Sequence, residues 1–244
     1  MLNRHAPRFH QIAAALLMLG SVSAFATDPV TQALQSAYVP YRVVLFKTGS
    51  GSQAEARQAM DVASKAWQQV VAQYAGKPGA TYENDPHFKS ALEDVSKVYT
   101  QAAEEIAQNQ LGKAHGTLEE VREITADLRQ RNQIVTFSDH MNAYHAQMEH
   151  LIEHSAQTLA SQAGTASMLE LASQVGVLDY LAARLEKQAS DTLRGQAEFA
   201  ELLKAVQNSV AALKSAVLAQ NAAAVQSAIA GLKKPYSKMF VKFG

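Results

Sequence analysis

The stretch "PHFKSALEDVSKVYTQAAEEIAQN" (86–109) decides the fold class. Its apolar side chains Leu92, Val95, Val98, Tyr99, Ala102 and Ile106 stand three and four residues apart, which puts them on one face of an α-helix. Asp85 precedes it as a cap, and Pro86 takes the first helical position, where a missing N–H costs nothing. The same periodicity recurs along the chain. Glycine and proline are sparse, 12 and 6 of 244 residues, so helix interiors are seldom interrupted. Eight helices are predicted, over roughly 29–47, 53–75, 86–109, 113–131, 138–162, 167–189, 196–219 and 221–233. "SQAE" (52–55) and "SMLE" (167–170) read as capping boxes, in which Ser52 or Ser167 caps and Glu55 or Glu170 reaches back, and "TLEE" (117–120) as a third.

The pattern also recurs at a shift of 111 residues. Phe88 meets Phe199, Leu92 meets Leu203, Val95 meets Val206, and Ile106 meets Val217. Trp67, Val70 and Tyr74 meet Leu178, Leu181 and Leu185. The expected architecture is therefore all-α, with tandem four-helix units of the up-and-down bundle type related by an internal duplication. The alternative is one continuous helical domain. The units are expected at 27–134 and 135–244, the second with an apolar tail. "PYRVVLFKTG" (40–49) and "PYSKMFVKFG" (235–244) share Pro, Tyr, Lys and Gly at matching places, as paired docking surfaces or as aromatic segments that seal the bundle.

Residues 1–26 read as an export signal. Arg4 and Arg8 give a basic start, "IAAALLMLG" (12–20) an apolar run, and "AFA" (24–26) a small-residue cleavage site after Ala26. A periplasmic location follows as the expectation. Beyond this leader 20 basic residues face 22 acidic ones, which gives no electrostatic case for nucleic acid or an anionic membrane. No later run has the roughly 18 apolar residues of a membrane span. There is no cysteine, which excludes disulfides, thiolate metal sites, cysteine nucleophiles and covalent c-type haem.

Ligand-type side chains concentrate in "DHMNAYHAQMEHLIEH" (139–154), with four of the eight histidines. On a helical wheel Phe137, Met141, Tyr144, Met148, Leu151 and Ile152 form the core stripe, with His145 at its edge and His140 at the other. Met141, His145 and Met148 are expected as inner metal ligands, with His140 and Glu149 as alternates or supporting groups. Thioether and imidazole suit Cu(I), and a carboxylate widens the range to Cu(II) or Zn; iron is not excluded. His150 and His154 form a separate exposed i, i+4 pair able to grip Zn, Ni or Cu(II). The bland reading makes the methionines core filler and the histidines a polar helix face.

His115, Glu119 and Glu123 are spaced four apart on the fourth predicted helix, facing a metal or water. The di-iron pattern of Glu-x-x-His fails, because Ile152 follows Glu149 at that spacing. No Ser-His-Asp signature, phosphate loop or His-Glu-x-x-His is present, so hydrolase chemistry has no support. In size and helix content the layout resembles periplasmic bundles of the cytochrome b562 and c′ type. The c′ type needs cysteines that are absent; the b562 type uses a methionine and a histidine from opposite ends of a bundle, for which Met60 and His145 are candidates, but the resemblance is one of architecture and carries no residues across. Three functions follow as expectations: a non-catalytic transition-metal binder or carrier with copper first, a cofactor-free module for an envelope partner, and a b-type haem carrier.

Overall fold

The computed structural model describes residues 28–161 and 165–244, and gives at most the backbone for 156–165. The expected export signal, 1–26, lies outside the described residues. The chain is all-α. The long helices are α1 (Pro29–Ser50), α2 (Gln53–Tyr74), α4 (Phe88–Ala107), α5 (Leu111–Arg131), α6 (Phe137–Ser161), α7 (Thr165–Gln188) and α9 (Ala197–Leu218). One-turn helices α3 (Gly79–Tyr82) and α8 (Asp191–Arg194) punctuate the connections, and α10 (Ala222–Ala230) and α11 (Lys233–Phe243) end the fold. Among the described residues no helix is long and apolar enough to cross a membrane.

Local chemistry explains the helix starts, and corrects three expectations. The Ser52 capping box forms in full, with Glu55 Oε2 accepting from the Ser52 N–H at 3.1 Å. Asp85 instead caps a turn ahead of α4: its carboxylate accepts from the His87 N–H at 2.9 Å, and the helix begins two residues beyond Pro86. Ser167 lies inside α7, which starts at Thr165. Thr117 lies inside α5 and donates its hydroxyl to Glu105 at 2.8 Å, so neither of these is a cap.

The apolar tail is itself a helix. Its proline does not prevent this, because Pro235 is the third residue of α11, where its missing N–H falls among donors that have no intrahelical partner. The proline acts upstream instead. Its ring clashes with a helical carbonyl four residues back, at Gly231, and α10 stops at Ala230.

α1, α2, α4 and α5 pack in sequence, and α5 returns to α1. α6, α7, α9 and α10 do the same, with α10 returning to α6. In numbering, α2 at 53–74 moved along by 111 residues overlaps α7, and α3 at 79–82 overlaps α8. In place of one helix matching α5 stands the broken pair α10 and α11. The break lets α11 lie across α9, α6 and α1. Tyr236, Met239 and Phe240 are buried there, and Phe240 meets the Tyr38 ring edge-on at 6.4 Å. The two echo segments therefore pack on each other, with Arg42 of α1 donating to the carbonyls of Lys242 and Gly244. One contiguous buried cluster runs from Val30 to Phe240.

Among the described residues, three helices end in a left-handed residue that is not glycine: Asn109 (φ 59°), Gln133 (φ 56°) and Gln220 (φ 52°). L-residues are strained there. Gln220→Gly is expected to stabilise the fold by about 0.5 kcal/mol, after offsetting the greater freedom of glycine in the unfolded chain. Urea denaturation checks the sign.

Candidate functional site in the cleft between α5 and α6

Helix α5 carries the apolar residues Leu118, Val121 and Leu128 into the core, and on the same buried stripe Arg122 and Arg129. A buried guanidinium must be paired. Arg129 is clamped: its Nε and Nη2 both donate to Asp139 at the start of α6, at 2.9 and 2.6 Å. Arg122, two turns earlier, faces a cleft of about 480 Å3 where α5, α6 and the start of α11 meet. His115, Glu119, Glu123 and Asp127 line one wall from α5, His145 and Glu149 the other from α6, with Lys233 at the mouth.

Two His-x-x-x-Glu turns face each other across this cleft. On α5, His115 Nδ1 lies 2.9 Å from the Leu45 carbonyl. A carbonyl only accepts, so Nδ1 carries a proton. Nε2 faces Glu119 Oε1 at 3.5 Å. Gly49 permits the contact, since a Cβ there would stand 3.2 Å from the imidazole ring. On α6 the arrangement is reversed. Arg122 Nη1 donates to His145 Nδ1 at 2.6 Å, so the lone pair is on Nδ1 and the proton on Nε2, which faces Glu149 Oε1 at 3.4 Å. The His145 ring lies against Tyr236 of α11 at 5.1 Å.

Electrostatics follow from these contacts. Glu149 is held down to about 2, first by the His145 imidazole 3.4 Å away, against burial, and then by Lys233 Nζ at 3.0 Å. For Arg122, burial works against the charge but does not neutralise it, and the Glu119 carboxylate pairs with the cation. Its Nη1 pairs with Glu119 Oε2 as well as with His145, and its plane lies over Phe240 at 5.0 Å. One nitrogen of a fixed cation thus sits between an imidazole lone pair and a carboxylate.

The expected site residues divide. His145 and Glu149 line the cleft. Met141 and Met148 are fully buried in the core, away from solvent, as is Met60 on α2. His140 is half-buried, its pKa lowered by burial and by Arg184 of α7, and it does not line the cleft. His150 and His154 stand on the exposed face with ring centroids 4.3 Å apart, and His154 Nδ1 is 2.8 Å from the His150 carbonyl. Among the described residues, no three His, Asp or Glu side chains gather tightly enough to hold a metal ion with the side chains as they stand.

Sequence reading missed Arg122 and Lys233, and did not join His115 and Glu119 to His145 and Glu149. Two signals were present: the identical spacing at 115–119 and 145–149, and an arginine on an otherwise apolar stripe. The chain matches no protein family, no curated protein and no solved structure.

Two outcomes follow. Asp139→Asn leaves Arg129 buried without a charge partner and is expected to cost about 2 kcal/mol, less than a fully buried pair because Asp139 is partly exposed. Calorimetry at neutral pH reads the loss. Glu149 has a folded pKa below its ordinary value, so its stabilisation is present above about pH 4.5 and fades as pH falls towards 2. Glu149→Gln is expected to remove about 2 kcal/mol at pH 7 and to flatten this acid limb, seen as a smaller drop in Tm between pH 5 and 3.

Proposed function

We propose that the protein is a non-catalytic transition-metal binding module of the periplasm, with its site in the cleft between α5 and α6. The observation that carries the reading is a cation position flanked by one residue from each of two facing His-x-x-x-Glu turns. His145 Nδ1 and the Glu119 carboxylate flank that position, and His115 Nε2 lies 3.5 Å from the other oxygen of the same carboxylate. Each imidazole has its other nitrogen turned to an acceptor, the Leu45 carbonyl at 2.9 Å for His115 and Glu149 at 3.4 Å for His145. Such outer partners hold metal-ligating histidines in the correct tautomer.

Imidazole and carboxylate donors without sulfur suit Zn or Cu(II) better than Cu(I). The thioethers of Met141 and Met148 serve the core in this reading, and delivery of copper through them is set aside. A cofactor-free module for an envelope partner is the second reading. It draws on the same Arg122, whose contacts satisfy Glu119 and His145 without any metal.

Titration of the untagged protein with Zn2+ and with Cu2+ separates the two. One ion per chain is expected, with affinity lost in His115→Ala and His145→Ala and lowered at least about tenfold in Glu149→Gln. Met148→Leu should leave it unchanged. Absence of binding, or binding lost only with His150 and His154, returns the cleft to a purely structural role.

A further inference from the structure

The two buried arginines of α5 are held differently, and the difference has a functional reading. Arg129 is gripped through Nε and Nη2 by both oxygens of one carboxylate. Arg122 is gripped through Nη1, and its Nε is buried with no hydrogen-bond partner. A fork bonded at one tine is the more readily released of the two, since fewer charge-assisted bonds break when it leaves. The same cleft offers it somewhere to go: Glu123 and Asp127, one and five residues along α5, line the outer wall.

We infer that Arg122 is a resident cation whose Nη1 occupies the place a metal ion takes between His145 and Glu119, so that metal entry and guanidinium withdrawal are one event. The inference rests on the metal reading above. No proton need move at His145, because its Nδ1 lone pair faces the position in both states, accepting from Arg122 in one and binding the metal in the other. The arginine does two things. It keeps the half-buried Glu119 and His145 paired when no metal is present, which avoids leaving a partly desolvated carboxylate without a partner. It also sets the affinity, since every metal ion bound must displace a tethered competitor.

Two free-energy-linked occupants of one place obey a simple rule: removing one raises the apparent affinity of the other. Zn2+ affinity is measured by competition with a chromophoric chelator, on the full protein and on Arg122→Gln, Arg122→Lys and His145→Ala. Arg122→Gln is expected to bind Zn2+ about tenfold more tightly than the wild type while its metal-free form melts earlier. Arg122→Lys, which keeps a cation, is expected to bind no more tightly than the wild type. Equal or weaker binding by Arg122→Gln, with binding still lost in His145→Ala, overturns the resident-cation inference and leaves the metal site standing. No Zn2+ binding by either protein overturns both. If Arg122→Gln does not fold, the side-chain 15N spectrum of the wild type decides. The Arg122 guanidinium signal, assigned by its absence from Arg122→Lys, should shift on saturation with Zn2+. An unmoved signal in a protein that has bound zinc overturns the inference.

Discussion

Desolvation of charge governs how this bundle is put together. A guanidinium taken out of water loses several kcal/mol of hydration unless charged and polar partners replace the solvent. α5 carries two into the interior, Arg122 and Arg129, and every partner they find lies on a different helix or on the adjacent turn. Asp139 and His145 come from α6, and Phe240 comes from α11. The positions of α6 and α11 relative to α5 are therefore held by these charged contacts as well as by the apolar packing that runs through the whole bundle. Hydrophobic packing alone would tolerate a sliding of α6 along α5; a forked Arg129–Asp139 pair does not.

The apolar framework was legible in the sequence, because helices announce themselves through spacing that any single residue can violate without erasing the signal. Leu92, Val95, Val98, Tyr99 and Ile106 all fall in the core as their period requires. The tail was not legible as a helix. Pro235 and Gly231 both read as terminators, and only the register of the helix start shows that the proline sits where it is harmless. The site was half legible. Composition drew attention to the histidines of α6, yet His150 and His154 face outwards and the methionines face inwards. The meeting of residues 115–122 with 145–149 is a property of how α5 and α6 lie together, and periodicity on one helix carries no information about its neighbour.

Charge also separates the two faces of α6. On one, Met141, Tyr144, Met148 and Leu151 are wholly enclosed, with Tyr144 stacked on Tyr236 at 5.6 Å. On its border, His145 and Glu149 reach the cleft and meet Arg122 and Lys233. The helix is thus anchored by apolar packing on one face, and its polar border faces the cleft.

The contact between α1 and α11 has a kinetic consequence. Arg42 reaches carbonyls some 200 residues further along the chain, at Lys242 and Gly244. Closing a loop of that length is entropically costly, and contacts of such separation form late in folding. Most other pairings here join helices that are neighbours in sequence and need no such search. The helices can thus assemble as local hairpins early, while the wall that Tyr236, Phe240 and Lys233 give to the cleft arrives last.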